Sequence, residues 1–214
     1  MSLIIKNLTF AYDEKNRRRP LIDDFSAEFP QDGITALTGK NGVGKTTLSR
    51  IIMGILTPRS GEMFLGERRL GDMTLAQRGR LIGYVMQNPA RQIFSTTVEA
   101  EMRYGLENLG LSEDEIISRS ESYLGIFGLE DKRREFPFTL SHGEKQRLVL
   151  ASVLAMKPEY LILDEPTASL DLKRRKVLGD LLKKAGCGVL IISHDRSFVD
   201  SYCDSKTEMV GSDG

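Results

Sequence analysis

Apolar positions along the chain fall into two recurring patterns. Tyr160-Leu161-Ile162-Leu163 and Val189-Leu190-Ile191-Ile192 are unbroken apolar runs of strand length. Such runs suit strands of a parallel sheet buried on both faces. Ile34–Thr38, a short β-rich run, and 81–86 read as further strands. The second pattern has helical spacing. Leu48, Ile51, Ile52 and Ile55 line one face of a helix that starts near Lys45, and 146–156 is an apolar helix ended by Pro158. Residues 177–184 also read as a helix.

The two ends of the chain and its middle differ from this alternation. Leu3–Phe10 and Ile22–Phe29 have strand patterns, with a polar turn over 13–20 between them. Asp32-Gly33 turns the chain into Ile34–Thr38, 57–61 breaks the first helix, 63–66 is a short strand, and 206–210 is a terminal strand. Residues 88–138 mix apolar residues with charge. Ser112 followed by Glu115 resembles a capping box that opens a helix, and Gly128 stops it. This region is expected to be a helical insertion. Strands alternating with helices give an α/β class with a largely parallel sheet.

Length and charge narrow the options. A chain of 214 residues is enough for one good core and too short for two large domains. Lys+Arg and Asp+Glu both number 30, so bulk charge gives no argument for nucleic acid. Arg17, Arg18 and Arg19 form a short basic run, too short for a nucleic-acid arm, that reads as a solvated turn. Cys187 and Cys203 lack metal-ligand spacing and read as incidental thiols of a reducing cytoplasm. The N-terminus has no basic region before its apolar residues, so no signal peptide is expected, and no apolar run reaches the length of a membrane span.

One stretch carries chemistry by itself. Gly39-Lys40-Asn41-Gly42-Val43-Gly44-Lys45-Thr46 has the G-x-x-x-x-G-K-[ST] spacing of a phosphate-binding loop. Its glycines allow a tight turn that brings N–H groups to phosphate oxygens. Lys45 is expected to reach the β- and γ-phosphates, and the Thr46 hydroxyl to ligate Mg²⁺. The strand before it and the helix after it are the required context. In open α/β sheets ligands bind at the carboxyl ends of strands. Gly39, Gln87, Asp164 and His194 each follow or end an expected strand, so they are expected to share one site. Asp164 is placed to hold Mg²⁺, directly or through water, and Glu165 to polarise a water aimed at the γ-phosphorus. Ser141 and the Gly143 amide open a helix, an anion-binding geometry that also fits an ordinary N-cap.

Taken in order, these motifs resemble the nucleotide-binding subunits of ATP-binding-cassette (ABC) transporters over nearly the whole chain. Gly39 to Thr46 looks like Walker A and Tyr160 to Glu165 like Walker B. Leu140-Ser141-His142-Gly143-Glu144 resembles the signature motif and Ser169-Leu170-Asp171 the D-loop, while Gln87 matches the Q-loop and His194 the switch histidine. The resemblance implies a P-loop NTPase (ABC ATPase) fold in a single domain, 1–214. That fold has a mostly parallel central sheet, an N-terminal antiparallel β region and a helical subdomain formed by about 88–138 with the following helix. It implies ATP hydrolysis with ATP and Mg²⁺. Tyr12 would stack on adenine. Asn41, Gly42, Gly44, Lys45, Thr46 and Thr47 would hold the phosphates and metal, with Gln87 and Asp164 completing the Mg²⁺ site. Glu165, His194, Gln87 and Lys45 would form the catalytic set. Ser141 and Gly143 would bind ATP held by a second ATPase subunit, so that two ATPs are sandwiched head-to-tail.

Two residues depart from the pattern: His142 stands where the family has glycine, and Glu144 where glutamine is common. Either the His142 side chain points away from the phosphate or hydrolysis at that half-site suffers. A narrower resemblance rests on Gln87-Asn88-Pro89, on Gln92-Ile93-Phe94-Ser95-Thr96-Thr97-Val98-Glu99, and on Gly105-Leu106-Glu107-Asn108. These are similar to energy-coupling-factor and cobalt-type importer ATPases. That implies a transmembrane coupling protein docked on the helical insertion, a small membrane subunit that captures a vitamin or metal ion, and a place on the cytoplasmic face of the cell membrane. The alternative is a soluble ABC ATPase that remodels nucleic acid or the ribosome. Such proteins typically need two cassettes, a coiled-coil insert or a basic arm, none of which is visible, so no nucleic-acid partner is expected.

Overall fold

The computed structural model describes residues 2–12 and 20–211; Arg17, Arg18 and Arg19 lie outside them. Strands β1 (Leu3–Phe10) and β2 (Ile22–Phe29) pair antiparallel, with Leu3 opposite Phe29 and Phe10 opposite Ile22. Strand β3 (Ile34–Thr38) runs through the phosphate loop into α1 (Lys45–Ile52). Strand β4 (Ser60–Leu65) pairs with β1, and the two-residue β5 (Arg68–Arg69) completes an antiparallel sheet of order β2-β1-β4-β5. Helix α2 (Leu75–Leu81) leads into β6 (Ile82–Val85). A helical layer follows, made of α3 (Val98–Asn108), α4 (Glu113–Phe127) and α5 (His142–Ala155). Then come β7 (Tyr160–Asp164), α6 (Leu172–Lys183), β8 (Gly188–Ile192), α7 (Arg196–Tyr202) and β9 (Ser205–Glu208). The second sheet is parallel throughout, in the order β6-β7-β8-β3-β9.

The unbroken apolar runs of β7 and β8 have a direct cause. Leu161, Leu163, Val189 and Ile191 face a core shared with α3, α4 and α5. Tyr160, Ile162, Leu190 and Ile192 face a second core shared with α1 and the antiparallel sheet. Alternate residues of a strand point to opposite faces, so a sheet packed on both sides needs apolar residues at every position. The strands of this sheet are short and all run the same way, so one end of the sheet collects every strand-to-loop transition that the sequence motifs mark.

Several boundaries move from the sequence pattern, and caps explain most of them. Helix α5 begins at His142, well before 146, because the Ser141 hydroxyl accepts the Glu144 N–H at 3.3 Å while the Glu144 carboxylate takes the Ser141 N–H at 2.8 Å. Helix α6 begins at Leu172, not near 177, because an Asp171 carboxylate oxygen accepts the Arg174 N–H at 2.8 Å. Helices α2 and α7 are too short for apolar spacing to show. Thr74 and Gln77 cap the first reciprocally, and Asp195 caps the second. Ser112 caps α4 through the Glu115 N–H, but the Glu115 carboxylate bonds the Ser112 hydroxyl instead of its N–H, so that box is incomplete. Strand β4 starts at Ser60, inside the expected break, and β9 spans Ser205–Glu208 rather than 206–210. Helix α1 stops at Ile52, which leaves Ile55 beyond it and exposed. Cys187 and Cys203 are free thiols.

Arg78 secures the end of α1. Its buried guanidinium donates from Nη1 to the Ile52 carbonyl at 2.7 Å and the Ile51 carbonyl at 3.1 Å. A cation at a helix C-terminus meets both the unpaired carbonyls and the negative end of the dipole. Arg78→Ala removes two charge-assisted bonds and leaves the Ile52 carbonyl without this donor. The expected loss is about 2–3 kcal/mol. A urea titration checks it through a lower midpoint at unchanged slope; an unchanged midpoint would reject the anchoring role.

Candidate active site

Four loops meet at the carboxyl ends of β3, β6, β7 and β8 and enclose a cleft of about 370 Å³. The phosphate loop contributes Asn41, Gly42, Gly44, Lys45, Thr46 and Thr47. Gln87 enters from the end of β6, Asp164 and Glu165 from β7, and His194 from β8. These residues are far apart in sequence, and the parallel order of neighbouring strands brings them together. Leu21 and Ile192 add apolar lining that sequence reasoning did not single out. The signal for Ile192 was its place at the end of the β8 run, two residues before His194; Leu21 carried none.

The phosphate loop is shaped by glycine. Gly39 has φ 141° and Gly44 φ 107°, in the region that glycine alone enters freely. A Cβ on Gly39 would come within 2.4 Å of the Met209 carbonyl oxygen. Lys45, buried, extends its ammonium onto the loop's own carbonyls, donating to Gly39 at 2.7 Å and to Lys40 at 3.0 Å. Burial pulls the Lys45 ammonium below its ordinary pKa, and the carboxylates of Glu165 and Asp164 oppose that. The Lys40 side chain itself is exposed.

Asp164 is almost wholly buried, and neither of its carboxylate oxygens has a hydrogen-bond partner of standard geometry. Burial pushes its pKa up. The facing Thr46 hydroxyl lowers it, Glu165 raises it further, and the cations of Arg50 and Lys45 lower it again. Buried carboxylate oxygens with idle lone pairs, beside a threonine hydroxyl and a glutamine in one cleft, suit a hard divalent cation. Among the described residues no group of three or more His, Cys, Asp or Glu side chains could hold a metal unaided. Mg²⁺ asks for less, one or two protein oxygens with substrate phosphates completing the shell. The donor set fits that ion.

Glu165 sits in the left-handed region at φ 52°, its N–H held by the Ile192 carbonyl at 2.8 Å. One carboxylate oxygen, Oε2, accepts the His194 N–H at 3.3 Å and the Ser193 hydroxyl at 3.4 Å. The other, Oε1, is buried without a hydrogen-bond partner and lies 3.6 Å from His194 Nε2. One oxygen is thus fixed, while the other is buried with no hydrogen-bond partner.

Four expected site residues lie outside the cleft lining: Gly39, whose carbonyl instead holds the Lys45 ammonium, and Tyr12, Ser141 and Gly143. Tyr12 stands at its rim: the residue is 63% exposed, its ring packs edge-on against Phe10 at 5.0 Å, and its hydroxyl shares a 2.9 Å bond with the Thr47 hydroxyl. Ser141 and Gly143 are at the N-terminus of α5, not among the residues that line this chain's own cleft. Ser141 donates its hydroxyl to Glu144 at 2.7 Å, and this bond, with that from the Ser141 N–H, holds the Glu144 carboxyl down to about 2.

Comparisons agree with the geometry. A family model described as ABC transporter matches residues 22–168. A Pyrococcus furiosus protein named as an ABC transporter ATP-binding protein is 40% identical over 206 residues, which cover 94% of this chain and 76% of that one. The energy-coupling factor transporter ATP-binding protein EcfA2 of Clostridium tetani is 39% identical over 203 residues, 91% of this chain and 70% of its own length. The solved structure of CbiO1 from Clostridium perfringens, part of the ABC transporter complex CbiONQ, superposes with TM-score 0.81 at 33% identity, over 97% of this chain and 84% of that one. A phosphate loop, two strand-end carboxylates, a glutamine and a histidine around one cleft, on a chain matched by that family model, lead to one conclusion: the chain belongs to the ABC transporter ATP-binding proteins, which hydrolyse ATP in transport.

Proposed function

We propose that this ATP-binding subunit powers an energy-coupling-factor-type importer of a vitamin or transition-metal ion from the cytoplasmic face of the cell membrane. The reading draws on the likeness to EcfA2 and CbiO1. Its roles are those of the cleft. The amides of Asn41, Gly42 and Gly44 and the Lys45 ammonium bind phosphate oxygens, with Thr47 beside them and the Tyr12 ring stacked on adenine. Thr46, Gln87 and Asp164 hold Mg²⁺, which when bound offsets the negative charge of the phosphates. Glu165 Oε1 takes the proton of the attacking water, and His194 contacts the γ-phosphate. Ser141 and Gly143 serve the ATP of a second ATPase subunit across a head-to-tail pair.

One observation carries the membrane-partner part of this reading. A groove of about 610 Å³ opens beside α3, lined by Phe94, Thr97, Arg103 and Tyr104 among others. Phe94 and Tyr104 meet edge-to-face at 4.5 Å and are both at least half exposed. Exposed aromatics that line a groove are the kind of residue that anchors a partner. The groove is tied to the cleft. Glu101, buried, accepts the N–H groups of Phe94 and Ser95 at 3.2 and 2.9 Å. Gln92 braces the Gln87 loop, accepting the Met86 N–H at 2.6 Å and donating to the Tyr84 carbonyl at 2.8 Å. A transmembrane coupling protein seated in this groove therefore acts on the segment that carries Gln87. Among the described residues no helix is long and apolar enough to cross a membrane, so translocation falls to such partners.

The test is a tagged pull-down from detergent-solubilised native membranes, read by mass spectrometry. The expected catch is a second ATPase subunit, a polytopic coupling protein and a small membrane subunit. Phe94→Glu is expected to lose the polytopic protein while ATP binding persists, since losing an aromatic anchor costs about 2 kcal/mol, on the order of thirtyfold in affinity. Ribosomal proteins or nucleic acid without a membrane chain would replace this reading with a soluble remodelling ATPase.

A further inference from the structure

His142, where the family pattern has glycine, is not idle in this chain. Its Nδ1 shares a 2.7 Å hydrogen bond with the Ser169 hydroxyl. The neighbouring Gly143 is packed on the same residue, since a Cβ there would lie 3.0 Å from the Ser169 carbonyl oxygen. The first turn of α5 and the segment at Ser169 therefore interlock through a side chain and a backbone contact. Ser169 belongs to the tight turn that leaves Glu165. The Ala168 N–H donates to the Glu165 carbonyl at 3.3 Å, and the Leu170 N–H to the Thr167 carbonyl at 3.1 Å. Arg175 closes the far side of this turn, donating from Nε to the Leu170 carbonyl at 2.9 Å and from Nη1 to Asp195 at 2.5 Å. The turn is thus held by His142 on one side and by Arg175, itself paired with the residue after His194, on the other.

We propose that His142 is a positioning residue: its Nδ1, acting through Ser169, fixes the turn that carries Glu165 against the N-terminus of α5. The bond also accounts for the tolerated departure from glycine, because the ring is engaged with Ser169. Glu165 holds a left-handed backbone anchored from the β8 side by Ile192, Ser193 and His194, and a turn freed at Ser169 removes its restraint from the α5 side. The proposal rests on the reading that this chain hydrolyses ATP in a pair whose α5 N-termini complete the sites.

The experiment measures steady-state ATP hydrolysis by the chain purified in its native membrane assembly. His142→Ala is expected to lower kcat about fivefold, the rate equivalent of one net hydrogen bond, with KM for ATP unchanged. His142→Asn is expected to restore the rate, because its amide offers donor and acceptor where Nδ1 lies. His142→Gln, whose amide reaches the Nε2 position, is not. Ser169→Ala reproduces the loss and supplies an independent arm should His142→Ala fail to fold. The double variant is expected to be no slower than either single one. Unchanged kcat in both single variants, multiplicative losses in the double, or no rescue by asparagine would overturn the proposal. Ser141→Ala, run alongside, separates the two levels. If it slows turnover while His142→Ala and Ser169→Ala do not, the positioning role alone is lost. If Ser141→Ala is also silent, the paired-site reading falls and takes the positioning role with it.

Discussion

Replacing Glu165 with glutamine is expected to cut ATP hydrolysis by about 10²–10⁴-fold, the usual contribution of a positioned general base. The substitution is nearly isosteric. Oε2 is the anchored oxygen, and an amide oxygen in its place can still accept from the His194 N–H and the Ser193 hydroxyl. What the amide cannot do is take a proton from water, and Oε1 is the atom with a lone pair to do so. ATP affinity should persist, because the phosphate loop and Lys45 are untouched. An enzyme that binds but does not cleave should then accumulate as an ATP-bound pair, visible by size-exclusion chromatography with ATP and absent without it. A chain that only holds ATP and never turns it over would change little on this substitution. Turnover within a few-fold of the unaltered chain would move the base elsewhere in the cleft. Backbone strain offers no competing explanation, since glutamine has the same left-handed cost as glutamate, about 1 kcal/mol, and the Ile192 carbonyl still holds its N–H.

The cleft was legible in the sequence because its parts sit on strong local signals. Lys45 follows a glycine pattern with few other uses. Asp164 and His194 each close an apolar run that only a doubly buried strand requires, and the parallel sheet then collects them without further instruction. The helical layer was legible as a region, and α4 in its bounds from Ser112 to Gly128, but α5, like α6 outside that layer, starts at a side-chain cap upstream of its apolar face. Helices α2 and α7 escaped notice for the same reason: seven residues give too few turns for periodicity, while their caps, Thr74 with Gln77 and Asp195, are single contacts. Contacts that link distant segments left no trace in one sequence. The His142–Ser169 bond joins residues 27 apart, and the Tyr12–Thr47 bond residues 35 apart. Glu101 was one acidic residue among several in a charged stretch, and only the fold turns it inward onto the loop at Phe94.

Lys45→Ala is expected to reduce ATP affinity at least about 100-fold, near 3 kcal/mol, the upper range of one charge-assisted hydrogen bond. Its effect is large because of its surroundings. Among the described residues that line the cleft, Lys45 is the only lysine or arginine, and it is opposed by Asp164 and Glu165. Without it, no lysine or arginine among the described residues that line the cleft remains to face incoming phosphates beside the two carboxylates. The lysine is also set for that task. Its ammonium rests on the Gly39 and Lys40 carbonyls, within the same loop whose amides would receive the phosphate, so nucleotide entry needs only a short swing of a flexible tip. Lys45→Met keeps most of the stem and its packing, and it should lose affinity as much as alanine does if charge is the cause. Titration calorimetry with ATP checks both variants, and a thermal melt without nucleotide checks that each is folded. Full ATP affinity in a folded Lys45→Met variant would reject Lys45 as the phosphate counter-charge and, with it, the placement of the phosphates in this cleft.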